Sequence, residues 1–159
     1  MLEKMKMIWQ DAKQLKDERG LTLVELLVVV VILGIIAAIA VVAVGGIIEN
    51  SRKDAMASDA KQMVSAAKLY TASNPLQAET KLNFKGTGDG TVDASSYMNT
   101  LKDPYGTGTA AYSTALVVVT PDSAGKFTYE VQLIGSKKAI GPSTPVAESA
   151  INKDAVVNK

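Results

Sequence analysis

The chain has 159 residues, with 17 Lys+Arg against 16 Asp+Glu, and contains neither cysteine nor histidine. Their absence excludes disulfides, thiolate chemistry, imidazole general bases and the usual zinc sites. Five of the basic and four of the acidic residues lie in the first 20, so the rest is formally neutral. An electrostatic nucleic-acid binder is therefore not the main design, and nucleic acid as a partner stays possible but unsupported.

Residues 1–20 place Met5, Ile8, Trp9, Ala12 and Leu15 at helical spacing. This pattern fits either a segment lying on a membrane surface or disorder. The apolar segment 21–48 follows, and within it Leu26 to Ile48 is a run of 23 residues without a charge. As helix that run is about 35 Å long, enough to cross a hydrocarbon core. Three readings compete. One is a plain signal anchor, and another is a secretory signal peptide cut near Ala38-Ile39-Ala40. The apolar stretch is long for a signal peptide and continues past that triplet to Ile48, with no polar exit. The third reading cuts between Gly20 and Leu21 and keeps the apolar helix in the mature protein. One acid, Glu25, sits inside the first turns of that helix, and a carboxylate there is expensive unless it is paired.

Gly20-Leu-Thr-Leu-Val-Glu25-Leu-Leu-Val-Val-Val-Val-Ile-Leu-Gly34-Ile-Ile-Ala-Ala-Ile-Ala40 resembles the amino-terminal segment of type IV prepilins and type II secretion pseudopilins. The resemblance covers about 21 residues of the chain and is dense over them. It implies that a prepilin peptidase cuts after Gly20 and that Leu21 becomes the N-methylated terminus. It also makes Glu25 the fifth residue of the mature chain. The implied partners are copies of the chain itself in a filament, an assembly platform protein, a cytoplasmic ATPase and, before assembly, membrane lipid. No cofactor is implied. Glu25 lies about 6 Å along the helix from Leu21. Near the headgroups it gains from the positive end of the mature helix. Buried among apolar helices and unpaired, it would cost several kcal/mol. The partner the family implies is the amino terminus of Leu21 on a neighbouring copy, and that pair would fix axial register.

Gly34 and Ala38 form a small-xxx-small pair of the kind that lets membrane helices approach closely. A tolerant membrane helix that happens to contain small residues would read the same way. Many family members carry proline near the position of Val42. This chain instead has Gly45-Gly46, two glycines costing about 1 kcal/mol each relative to alanine in a helix. They are the expected point of helix softening. Charges flanking the apolar run are nearly balanced, so orientation rests on the motif: a cytoplasmic leader, and a carboxyl-terminal part outside, first in the membrane and then on a surface filament.

From Asn50 to Tyr70 there is no glycine or proline, and Met56, Ala60, Met63, Ala67 and Tyr70 repeat at spacings of four and three. That predicts an amphipathic helix over 49–74, stopped by Ser73-Asn74-Pro75. Leu21 to Ser73 would make a helix about 80 Å long. Residues 75–109 read as loop-rich, with a turn cluster at Lys85-Gly-Thr-Gly-Asp-Gly90 and a short helix over Ala94–Leu101. Asp89, Asp93 and Asp103 raise the question of calcium. They lack a recognised loop spacing, and turn formation is the preferred reading. Asp103-Pro-Tyr-Gly106 resembles an Asp-Pro-aromatic-Gly turn of pilins and pseudopilins. Ala115–Thr120 and Phe127–Leu133, joined by Pro121-Asp-Ser-Ala-Gly125, predict a hairpin with one buried face. Lys138–Ile140 adds a third strand, and the tail after Gly141 is expected to be peripheral.

The fold class is α+β: a long N-terminal helix, transmembrane in its first half and amphipathic in its second, packed on a small antiparallel sheet in the pilin manner. The expected divisions are a leader at 1–20, a transmembrane and filament-core helix at 21–48, an amphipathic helix at 49–74 and a head region at 75–159. The function expected is that of a non-enzymatic structural subunit, a major pilin of a type IV pilus or related pseudopilus. The rival is a signal-anchored cell-surface enzyme or binding domain that forms no filament.

Overall fold

The computed structural model describes residues 1–13 and 23–159, side chains included. Helix α1 is Leu2–Ser73. The chain divides into two compact units, Met1–Ile47 and Ile48–Lys159.

In the first unit the described residues are exposed throughout and, from Leu2 onward, helical. From Leu23 onward almost every side chain is apolar, on all faces, so no orientation of this segment could hide its surface against a single neighbour. None of it is buried by the chain itself. By length and composition this is a helix able to cross a membrane.

The second unit begins with the α1 residues from Ile48 to Ser73. Their stripe is the core-facing one: Met56, Ala60, Met63 and Ala67 are fully buried, and Tyr70 packs at its edge. The helix stops where the sequence turns from it. The Asn74 backbone N–H and side-chain amide both donate to the Tyr70 carbonyl, at 2.9 and 3.1 Å. Pro75 then removes the next donor.

Seven strands form one sheet: β1 (Thr80–Asn83), β2 (Val92–Asp93), β3 (Thr114–Pro121), β4 (Phe127–Ile134), β5 (Lys138–Ile140), β6 (Val146–Ala147) and β7 (Val156–Asn158). Their order is β2-β1-β3-β4-β5-β7, with β6 also pairing to β4. All pairs are antiparallel except β1 with β2, which is parallel. The β3–β4 hairpin sits at the centre, with Val117 opposite Val131 and Val119 opposite Tyr129. Val117, Val119, Val131 and Leu133 have no exposed surface. They share one cluster with Met56 and Met63 of α1. The sheet therefore covers the helix stripe, the α+β arrangement of pilins.

β5 and β6 lie along the same edge of β4, separated by the excursion Gly141–Pro145. Gly141 makes that excursion feasible. Its φ is +65°, and a Cβ there would come within 2.6 Å of the Thr144 carbonyl oxygen. Only glycine fits without strain.

The segment 75–109 is loop-rich, as expected, and adds β1 beside β3, with Leu82 fully buried and Phe84 nearly so. Two expectations are corrected. The expected helix over Ala94–Leu101 is only a 3-10 turn at Ser95–Tyr97. The carboxylate of Asp93 accepts the Ser95 N–H at 2.8 Å, which ties that donor to the preceding loop. Such local side-chain bonds compete with helix. The tail is not peripheral. β6 and β7 join the sheet, and Ile151 and Val156, each 3% exposed, are part of the core.

Candidate functional site

The apolar segment offers chemistry of one kind, a surface that water disfavours and that no part of the chain covers. Leu23, Val24, Leu26 and Leu27 are all more than 60% exposed, and Glu25 stands exposed among them. A carboxylate in such a setting needs either headgroup water or a cation when the segment is enclosed. Gly34 has no atom within 4 Å of where a Cβ would stand. With Ala38 one turn on, it leaves a shallow place on the helix where another backbone can approach. Gly45 and Gly46 have helical backbone and are equally open. Gly20 and Leu21 lie outside the described residues.

The first turns of the second unit carry a different constellation. The Tyr105 hydroxyl donates to Glu49 Oε1 at 3.2 Å. Lys138 Nζ stands 3.4 Å from the same oxygen, and the Arg52 guanidinium lies 5.7 Å from the Tyr105 ring centroid. Burial, then the bond to Glu49, pushes the Tyr105 hydroxyl from its ordinary 10.0 up to about 12. Roughly three turns beyond Glu49 on α1, the buried Tyr112 donates to Asp59 Oδ2 at 2.7 Å. Desolvation raises the Asp59 carboxyl above its usual range, and the Tyr112 bond pulls partly the other way. Tyr112 is itself held well above the ordinary phenol range, first by burial and then by Asp59. These contacts fix the helix to the sheet at its amino-terminal end.

Asp103 supplies the support. It is 7% exposed and accepts from the Tyr105 N–H at 2.9 Å and the Ser136 N–H at 2.6 Å. Gly135 lies so close that a Cβ would come within 2.8 Å of Asp103 Oδ1. The Asp103–Gly106 turn is thus pinned to the β4–β5 connection, and Tyr105 is aimed at the helix. Asp93 accepts from the Ser95 N–H, while Asp89 stands in the separate loop that includes Gly88 and Thr91. Among the described residues no group of three acids is brought together for a metal ion.

The sequence reading singled out the turn at Asp103 but not the roles of Glu49, Arg52, Tyr105 and Lys138. These residues are far apart in sequence, and only the register of β3, β4 and β5 brings them together. A usable signal was present: Asp-Pro-Tyr-Gly puts an aromatic residue in a rigid turn, where its ring must have something to meet.

Compared with known proteins, residues 15–41 match the family model for the prokaryotic N-terminal methylation motif. This supports membership of a type IV pilin-like prepilin family. No curated protein and no solved structure matched the chain. The matched residues include Gly20 and Leu21 and reach into the exposed apolar helix. Among the described residues one apolar helix near the amino terminus is long enough to cross a membrane, which fits a membrane-anchored protein. Processing by a prepilin peptidase and handling by pilus assembly machinery are consistent with the same motif.

Proposed function

We propose that this chain is the structural subunit, and specifically the major pilin, of a type IV pilus or related pseudopilus. Prepilin peptidase cuts between Gly20 and Leu21, Leu21 is N-methylated, and the mature protein waits in the bilayer with the second unit outside. A cytoplasmic ATPase and a platform protein draw it from the lipid and stack it on earlier copies. The subunit has no catalysis of its own. Its work is done by the apolar helix, whose residues 23–48 leave the bilayer for contact with the same segment of neighbouring copies.

The observation that carries this reading is Glu25 within a methylation motif, on a helix that the chain does not cover. Exchange of lipid for helix contacts is nearly neutral in polarity, so specificity must come from the few groups that are not apolar. Glu25 pairs with the methylated amino terminus of an adjoining copy. An unpaired carboxylate in that bundle would cost several kcal/mol, and only one stagger avoids it. Gly34 and Ala38 let the backbones close up. Gly45-Gly46 supplies a soft point between this segment and the second unit. The retained glutamate and the modest size of that unit favour a major over a minor subunit.

The test is to express the full chain with its native processing machinery and measure the intact mass of the cell-surface protein. Loss of residues 1–20 with one added methyl group, together with surface filaments made mostly of this chain, is the expected result. A mature protein that keeps its leader would make it a signal-anchored domain instead, and one cut near Ala40 a secreted domain.

A further inference from the structure

The leader has a shape of its own. Met1, Leu2, Met5, Ile8, Trp9 and Ala12 share one side of a helix, Lys6 and Lys13 flank it, and Glu3, Met7, Gln10 and Asp11 lie opposite. The structure makes residues 2–13 helical, and Leu2, Met5, Ile8 and Trp9 are each at least 69% exposed. Lys13 Nζ lies 5.3 Å from the Trp9 ring centroid, so a cation flanks the aromatic end of the apolar face. A processing tag needs no such face, because cleavage reads the residues around Gly20 and Leu21.

We propose that residues 1–13 form an interfacial helix that lies on the anionic cytoplasmic surface of the bilayer until the leader is removed. The inference rests on the membrane-anchored reading of the chain. Three observations single out lipid as the occupant. The apolar face lies on the same chain just ahead of the membrane-length segment, so bilayer surface is always within reach. Residues 1–13 hold three lysines and two acids, and with the amino terminus their charge is positive, which anionic headgroups attract. Tryptophan beside lysine is the pairing that suits the headgroup level, with the ring in the apolar edge and the ammonium in water. The helix would then hold the scissile bond at the lipid–water boundary. Once cut, the leader keeps only this short face and leaves readily, since weak interfacial anchors need a second attachment to persist.

Trp9 is the single tryptophan of the chain, so its fluorescence reports the leader alone. The uncleaved full-length protein is reconstituted in vesicles of equal parts phosphatidylcholine and phosphatidylglycerol, with iodide on both sides. Expected are strong quenching of Trp9 by brominated acyl chains and several-fold protection from iodide. The paired substitution Met5→Glu and Ile8→Glu, which leaves Trp9 and the anchor in place, should reverse both. Replacing phosphatidylglycerol by phosphatidylcholine should weaken both. The proposal is overturned if iodide reaches Trp9 as freely as it reaches free tryptophan, or if the double variant quenches like wild type. It is also overturned if protection rises with protein density at fixed lipid composition, which would make a second copy the occupant. Failure of cleavage in cells would count against the proposed function while leaving these readouts unchanged.

Discussion

Residues 23–47 and 48–73 belong to one helix, yet they follow opposite rules. In the first stretch every side chain is exposed, and apolar residues face all directions. In the second, a stripe led by Met56 and Met63 is completely buried while Ser51, Asp54, Ser58 and Ser65 remain in solvent. The backbone is helical in both, so the difference lies in what the side chains ask for. A stripe is satisfied by the sheet of the same molecule. An all-round apolar surface is satisfied only by lipid or by other molecules, so that stretch serves contacts outside the chain and the other serves folding.

The sharpest way to break this comparison is at Glu25. Glu25→Ala should leave a trimmed, methylated protein whose second unit melts at the wild-type temperature, but with surface filaments nearly absent. Each subunit contact would keep a buried amino terminus without its partner, a loss of about 3–5 kcal/mol. Filament counts by electron microscopy, set beside intact mass and thermal melting, read the two halves of the prediction separately. Normal filaments would remove the assembly role from this stretch.

A matched pair of truncations comes next. Leu133→Ala, at a position with no exposed surface, should destabilise the second unit by about 2–5 kcal/mol. Ile36→Ala removes the same number of carbons from a side chain that is 57% exposed and should leave that unit's denaturant midpoint unchanged. Equal effects would mean that residues 23–47 share the fold of the second unit after all.

How much of this was legible in sequence follows from how far apart the interacting residues are. The Met56–Met63 stripe, the stop at Asn74-Pro75, the central hairpin and β5 are local signals, and the structure has each where periodicity puts it. β1 was passed over because Gly and Pro clusters dominate its surroundings, although Thr80-Lys-Leu82-Asn-Phe84 alternates as a strand should. β6 and β7 are two and three residues long, too short for any period to show. They exist because β4 and β5 offer open edges, a property of the tertiary fold. Of the candidate site, Glu25 and its apolar setting were readable because motif and helix are contiguous. The Glu49–Tyr105–Lys138 contacts were not, because three separate segments supply them.

Asp103 tests a smaller claim within the second unit. Asp103→Ala would orphan the N–H groups of Tyr105 and Ser136, at a cost of about 1–3 kcal/mol. Chemical denaturation of the variant measures it, and hydrogen exchange should show faster opening at Ser136 than at Val131. A loss confined to a few tenths would mean that solvent replaces the carboxylate easily and that the turn does not depend on it.

Alkaline pH gives the gentlest discrimination, because all five tyrosines lie in the second unit, between Tyr70 and Tyr129. Folding raises the Tyr105 hydroxyl from 10.0 to about 12 through burial and its bond to Glu49. Tyr112 is shifted upward in the same sense by burial and by Asp59. A group whose folded pKa is raised contributes stability that is complete below its unfolded value and is lost as pH climbs through the folded one. The second unit should therefore weaken progressively above pH 10.0, with the Tyr105 share of the loss finished by about pH 12. Tyr105→Phe should shallow that slope, since phenylalanine has no proton to lose, and ultraviolet difference absorbance should show one fewer late-ionising phenol. The apolar stretch at 23–47 contains no tyrosine, so its helicity in detergent, followed by circular dichroism on the same samples, should hold across this range. Simultaneous loss of both signals would tie the two stretches into one cooperative unit and refute the division between assembly and folding.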